Sequence, residues 1–120
     1  MASHNQLGQQ GEDIATKHLL AKGFKILERN WRFGKDELDI IAKHGDELII
    51  VEVKTRNSDY FGNPNEAVST AKQKRLTKAA HAYIIENDLD VETRFDIIGV
   101  IMNKNEQRIE HIEGAFIPRW

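Results

Sequence analysis

There is no cysteine among the 120 residues. That excludes disulfides, thiolate zinc sites and cysteine nucleophiles, and it suits a reducing compartment; the cytoplasm is the expected location. Proline is nearly as scarce, with two copies. One of them falls in SDYFGNPNEAV, residues 58–68, which is expected to be an irregular loop. No apolar run approaches the ~20 residues that a membrane-spanning helix needs, and the polar opening MASHNQLGQQGED does not read as a signal peptide. Internal repeats, low-complexity tracts and interdomain linkers are missing. So are a glycine-rich phosphate cradle, which leaves a nucleotide cofactor unsupported, and any Ser/His/Asp arrangement. The five histidines, His4, His18, His44, His81 and His111, show no H-x-x-x-H spacing, so a histidine zinc site is unsupported too.

What is present suits a soluble globular chain. Hydrophobic residues make up 40% and charged residues 30%, enough for one domain over residues 1–120, with 1–7 expected as a flexible tail. The net charge of −2 hides a polarised distribution. From Val53 to Ala80 six bases (Lys54, Arg56, Lys72, Lys74, Arg75, Lys78) face two acids (Asp59, Glu66), a balance of +4. From Glu86 to Glu113 eight acids face three bases, a balance of −5. Such a molecule can present a positive face to phosphates although its total charge is near zero. Solvated helix faces are the plain alternative.

Residues 11–22, GEDIATKHLLAK, have helical character, with Glu12 and Asp13 suited to a first turn and Gly23 to a C-terminal stop. FKILERNWRF, 24–33, alternates loosely as a strand does. Residues 37–43 and 48–56 form a hairpin around Gly45-Asp46. Ser69 or Thr70 caps a helix over 70–86, in which Leu76, Ala79, Ala80, Tyr83 and Ile84 recur at helical spacing. RFDIIGVIM, 94–102, is an almost continuous apolar strand, and RIEHIEGAF, 108–116, a shorter one. The order of helix, three strands, helix, two strands indicates an α/β or α+β domain with a mixed sheet flanked by helices.

With Gly45 and Asp46 as a two-residue turn, the hairpin pairs 44 with 47, 42 with 49, 40 with 51, 39 with 52 and 37 with 54. One face then carries Leu38, Ile40, Ala42, Ile49, Val51 and Val53 and is wholly apolar. The other sets Asp39 against Glu52 and Glu37 against Lys54, with Arg56 beyond. Acids directly opposite one another lie roughly 4.5–5.5 Å apart at Cβ. Like charges at ~4 Å repel by about 4 kcal/mol in an effective dielectric near ~20. The pair is therefore costly unless one member protonates or a cation sits between them. Hard divalent cations are held by such carboxylates together with water and phosphate oxygens. Lys54, on the same face, is suited to orient water or to meet charge developing on a phosphoryl group. A half-exposed sheet face, on which Lys54 simply pairs with Glu37, is the ordinary alternative.

Asp39 followed by Glu52-Val53-Lys54 resembles the PD-(D/E)xK nuclease signature, with Leu38 in place of the proline. Gly11-Glu12-Asp13, LERNWR at 27–32, ELDII at 37–41, VEVKTR at 51–56 and AKQKRL at 71–76 together resemble the YraN-like family of uncharacterised bacterial proteins, over about Gly8 to Phe116. That family is described as predicted endonucleases distantly similar to archaeal Holliday junction resolvases. The resemblance implies a restriction-endonuclease-like αβββαβ core. It implies that Asp39 and Glu52 hold Mg²⁺ or Mn²⁺, that Lys54 is catalytic, and that Glu12 joins the metal. For Glu12 an acid favoured by the helix dipole is the alternative.

Arg56, Lys74, Arg75, Lys78, Gln73 and Arg32 are the candidates for nucleic-acid contact, DNA before RNA and branched DNA among its forms. For Gln73 a solvent-facing or capping role competes. Trp31 is assigned to stacking on a base or to the core, and Tyr60 and Phe61 to a loop that reaches a distorted strand. A single small site per chain suggests a homodimer for cutting both strands. A nucleic-acid-binding module of the same fold that cuts nothing is the competing expectation. An interaction protein docking through its acidic C-terminal half is the third.

Overall fold

The computed structural model describes residues 4–57 and 68–118, without the side chains of 4 and 5. Among them run α1 (His4–Ala21), β1 (Lys25–Phe33), β2 (Asp36–His44), β3 (Glu47–Arg56), α2 (Thr70–Glu86), β4 (Glu92–Met102) and β5 (Gln107–Phe116). The strands form one mixed sheet in the order β1-β2-β3-β4-β5. Only β3 and β4 run parallel; the other neighbours are antiparallel. This is the αβββαβ order implied by the resemblance, extended by β5, and its class is α+β.

Strand alternation makes two apolar faces, and one helix covers each. Ile40, Ala42, Ile49, Val51, Ile98 and Val100 meet Ala15 and Leu19 of α1, with Phe24 from the turn that follows it. Ile41, Leu48, Ile50, Phe95 and Ile97 meet Leu76, Ala79, Ala80 and Tyr83 of α2. Each large side chain buried here is worth about 1.5–3 kcal/mol in transfer free energy, and this sets the helices against the sheet more firmly than helix propensity does. Trp31, half-buried, packs edge-on against Tyr83 at 5.2 Å on the α2 side of the core, the second of its two expected roles.

The helix ends follow their sequence signals. The Ser69 side chain caps α2 by accepting from the Lys72 N–H at 3.2 Å. After α1, Gly23 takes a φ of +88°, and the N–H of Phe24 reaches back to the Leu19 carbonyl at 3.0 Å. The other end of α1 departs from expectation. The helix begins at His4, so residues 4–7 are helical rather than a tail, and Glu12 and Asp13 sit mid-helix with no acid in the first turn. A dipole role for Glu12 therefore fails, because that effect fades within one turn of the helix end.

Gly11 is where α1 crosses β3. A β-carbon there would run into the Thr55 hydroxyl and come within 3.0 Å of Thr55 Cβ. Thr55 is stiff at χ1, so the helix would have to move, and Glu12 with it. Gly11→Ala is expected to destabilise by about 1–3 kcal/mol, although alanine improves helix propensity by about 1 kcal/mol. Gly8→Ala, which meets nothing within 4 Å, should stabilise. Urea denaturation of both variants checks this; equal effects would show that the crossing is not tight.

Candidate active site

β2 and β3 pair from the turn out to Ile40 and Val51 in the expected register, and there they part. An unbroken ladder would continue with Asp39 against Glu52. Instead the Asp39 carboxyl enters the opening, where its Oδ2 accepts from the Val53 N–H at 2.8 Å. A side chain thus satisfies a backbone donor that the ladder has released. The alternation of β2 breaks at the same point: Leu38 packs with Ile41 on the α2 side, whereas Ile40 and Ala42 face α1. The expected face with Leu38, Ile40 and Ala42 together is corrected accordingly. Asp39 looks toward α1 and Glu52 toward α2, and they meet through the opening rather than side by side.

There they share a hydrogen bond. Burial first, then that hydrogen bond and the charge of Glu52, push the Asp39 carboxyl up to about 8, against the pull of the Val53 N–H. Protonated Asp39 donates and Glu52 accepts. Burial works to raise Glu52 as well, but the Asp39 hydrogen bond and the Lys72 and Lys54 ammonium groups hold it below the usual glutamate range. Glu52 is 5% exposed. Its Oε2 is ion-paired with Lys72 and lies 3.8 Å from Lys54 Nζ. Burial draws the Lys54 ammonium down, Glu52 opposes this, and the charge of Lys72 adds to it.

Glu12 approaches from α1. Its carboxyl is held by Asn30, which takes a φ of +54° within β1, and by Arg29 at 3.5 Å. Burial still raises its pKa above the usual glutamate value, with Glu37 contributing. Carboxylate oxygens of Glu12, Glu37 and Asp39 all lie within 4.8 Å of one another. These are hard donors with no nitrogen or sulfur among them, a set suited to Mg²⁺, Mn²⁺ or Ca²⁺. A cleft of about 210 Å³ opens onto the cluster, lined by Leu7, Gly8, Glu12, Asp39, Val53, Lys54, Thr55 and Arg56.

Of the expected site residues, Asp39, Glu12, Lys54 and Arg56 line that cleft, and Glu52 adjoins it through Asp39. Lys74, Arg75 and Lys78 lie on the exposed side of α2 and do not line it. Arg75 lies 3.6 Å from Asp36. Arg32 is exposed and pairs with Glu37 at 3.1 Å. Gln73 is buried and donates to the Val68 carbonyl at 3.0 Å, so it pins the entry to α2 and does not face solvent. Tyr60 and Phe61 lie outside the described residues.

Sequence reasoning missed two members of the site. Glu37 was set against Lys54, because an unbroken ladder was assumed. Lys72 is absent from the candidates for nucleic-acid contact, yet it stands four residues before Leu76 on the helix stripe that packs against the sheet. A lysine at a core-stripe position was the available signal.

The family model described as "Uncharacterised protein family UPF0102" matches residues 11–100. The chain belongs to the UPF0102 family. This is the YraN family that the motifs resembled. A UPF0102 protein of Flavobacterium psychrophilum is 53% identical over 116 residues, 97% of this chain and 98% of that one. UPF0102 proteins of Christiangramia forsetii and Bacteroides thetaiotaomicron are 51% and 50% identical, again over 97–98% of this chain and 98% of theirs. The structure of Pyrococcus furiosus SfsA in complex with Ca²⁺ is similar over 89% of this chain and 62% of that one, with 17% identity and a TM-score of 0.37; nothing is built on so loose a likeness. Among the described residues of this UPF0102 chain, no helix is long and apolar enough to cross a membrane.

Proposed function

We propose that this UPF0102 protein hydrolyses phosphodiester bonds in nucleic acid, DNA and its branched forms first, with the help of Mg²⁺ or Mn²⁺. The observation that supports this most is the gathering of Glu12, Glu37 and Asp39 carboxylate oxygens within 4.8 Å of one another at an open cleft, with buried Glu52 beside Asp39. Burying acids next to one another costs stability, whereas a divalent ion between them lets them ionise. Asp39, Glu12 and Glu37 would hold the ion, with Glu52 joining through its contact with Asp39. When bound, a divalent ion polarises a phosphoryl oxygen and lowers the pKa of water.

The remaining work falls to the chain. Lys54, in the cleft, places its ammonium where charge develops on the phosphoryl group. Arg56 extends the positive lining along the substrate backbone. Asn30 and Arg29 fix the Glu12 carboxyl, and the Val53 N–H fixes that of Asp39, so the acids are oriented before substrate arrives. Lys74, Arg75 and Lys78 offer a separate exposed row for phosphates at a distance from the cleft. Cutting both strands of a duplex takes two such sites, hence a pair of chains.

The test is incubation with branched, single-stranded and duplex DNA and with RNA, with Mg²⁺, with Mn²⁺ and with chelator. Cleavage is expected only with the ion, and Glu52→Gln, with folding verified by circular dichroism, should lower it by at least ~10²-fold. Binding of these substrates without cleavage under any ion would replace the hydrolase with a binding module. Full cleavage in chelator would reject the site assignment.

A further inference from the structure

Lys72 takes no part in the hydrolysis described above, yet it forms a direct ion pair with a carboxylate at the centre of the site. It is also firmly placed. Its own N–H is tied to the Ser69 cap at 3.2 Å, and the next residue, Gln73, anchors Val68 at 3.0 Å. From that first turn of α2 the side chain descends to Glu52, with 35% of its surface exposed against 5% for its partner. A lysine serving only as a surface ion pair would keep its acid in water, where such pairs are worth little.

Asp39 gathers with acids on the α1 side while Glu52 meets a base of α2, which gives the opening two cation positions. One faces α1, where Glu12, Glu37 and Asp39 gather their oxygens within 4.8 Å. The other faces α2, at Glu52 Oε2. Catalytic centres with two divalent ions use such a bridging acid pair with ions roughly 3.5–4 Å apart. On the α2 side, however, positive charge is already in excess. One carboxylate oxygen meets Lys72 and, at 3.8 Å, Lys54. A divalent ion there would add two positive charges beside two ammonium groups with a single acid to share.

We propose that the Lys72 ammonium is a built-in cation at Glu52 Oε2, in the place a second divalent ion would otherwise take, so that each chain holds one ion and not two. This rests on the metal-dependent reading of the site. An ammonium suits the position: it is a compact charge with three rotatable donors, it demands no fixed coordination shell, and it cannot be lost by dilution. Lys72 is thereby a positioning residue. It fixes Glu52 through one oxygen and leaves the other free to work with Asp39.

The experiment counts Mn²⁺ per chain by electron paramagnetic resonance titration and by calorimetry, in wild type, Lys72→Arg and Lys72→Met, with folding checked by circular dichroism. One ion is expected in wild type and in Lys72→Arg, which keeps the charge, and two in Lys72→Met. Should Lys72→Met fail to fold, Lys72→Gln, which keeps a donor for Glu52 but no charge, is expected to bind two. Two ions in wild type, or one ion of unchanged affinity in the neutral variants, would overturn the inference while leaving a metal site standing. No Mn²⁺ bound by any of these proteins would remove the metal-dependent reading itself, and the inference with it.

Discussion

Asp39→Asn is expected to abolish ion-dependent cleavage and, with no divalent ion present, to make the protein more stable than wild type. Both effects have one cause. The Asp39 carboxyl is pushed up to about 8 against 3.8 for an ordinary aspartate, first by burial and then by the Glu52 hydrogen bond and charge. Asparagine keeps the shape. Its carbonyl can accept from the Val53 N–H as Oδ2 does now, and its amide can donate to Glu52 as the protonated acid does. What it removes is the ionisation that the folded state resists and that a cation requires.

The pH dependence follows with a definite sign. Asp39 binds its proton more tightly folded than unfolded, so its contribution to stability is complete below pH 3.8 and is lost as pH rises through about 8. Without divalent ion, wild type should lose stability relative to Asp39→Asn across that window, by about 2 kcal/mol or more at pH 7. The measurement is a urea midpoint series from pH 5 to 9 in chelator. Mg²⁺ should narrow that difference and, at high enough concentration, reverse it, because an ion bound at about 100 times its Kd stabilises by about 2.7 kcal/mol, and the variant cannot take it up. Parallel pH curves for the two proteins would show that Asp39 ionises freely and would leave the site without its central feature.

Much of this architecture was legible in the chain because the relevant signals are local. The Gly45-Asp46 turn fixes the register of β2 with β3, and that register holds as far as Ile40 and Val51. Ser69 and the stripe from Leu76 to Tyr83 mark α2 at its observed bounds, Thr70–Glu86. The start of α1 was not legible, since Gln6, Gly8, Gln9 and Gln10 show no apolar periodicity and the segment is helical in company with the sheet. Nor was the parting of the strands at Asp39. There a side chain competes with the ladder for the Val53 N–H, and no pattern of polar and apolar residues records which acceptor wins. That competition moved Glu37 to the cluster with Glu12 and placed Glu52 against Lys72. The acids and the lysine were identified by type and spacing; their grouping depended on a backbone that stops being a regular hairpin where the chemistry begins.

The acidic C-terminal half offers a second case, and it carries the last prediction. The surplus of acids there, read as a surface for docking, is spent in part inside the molecule. Asp96 interrupts the apolar run of β4 and its side chain is wholly buried. Four donors meet it: Arg94 Nε at 2.9 Å and Nη2 at 3.0 Å, His111 Nε2 at 2.8 Å and the Gly114 N–H at 3.0 Å. Sequence spacing gave no pairing of histidines, yet His18 Nε2 lies 3.1 Å from His111 Nδ1, so the network ties α1 to β4 and β5. Burial works to raise the Asp96 pKa, and the hydrogen bonds from His111, Arg94 and Gly114 hold it below the ordinary aspartate value instead. Asp96→Ala would leave the Arg94 guanidinium only Glu47 at 3.6 Å and Glu113 at 3.8 Å and would take from the His111 imidazole its carboxylate acceptor, so it is expected to cost about 3–5 kcal/mol, the range for breaking a buried charged pair. Because the folded pKa is depressed, this contribution is present above pH 3.8 and is lost as pH falls through the folded value. Urea midpoints at pH 7 and at the lowest pH at which both proteins stay folded measure both statements: the gap between wild type and Asp96→Ala should be wide at the first and narrower at the second. A gap of the same width at both would mean that Asp96 acts by filling space rather than by its charge.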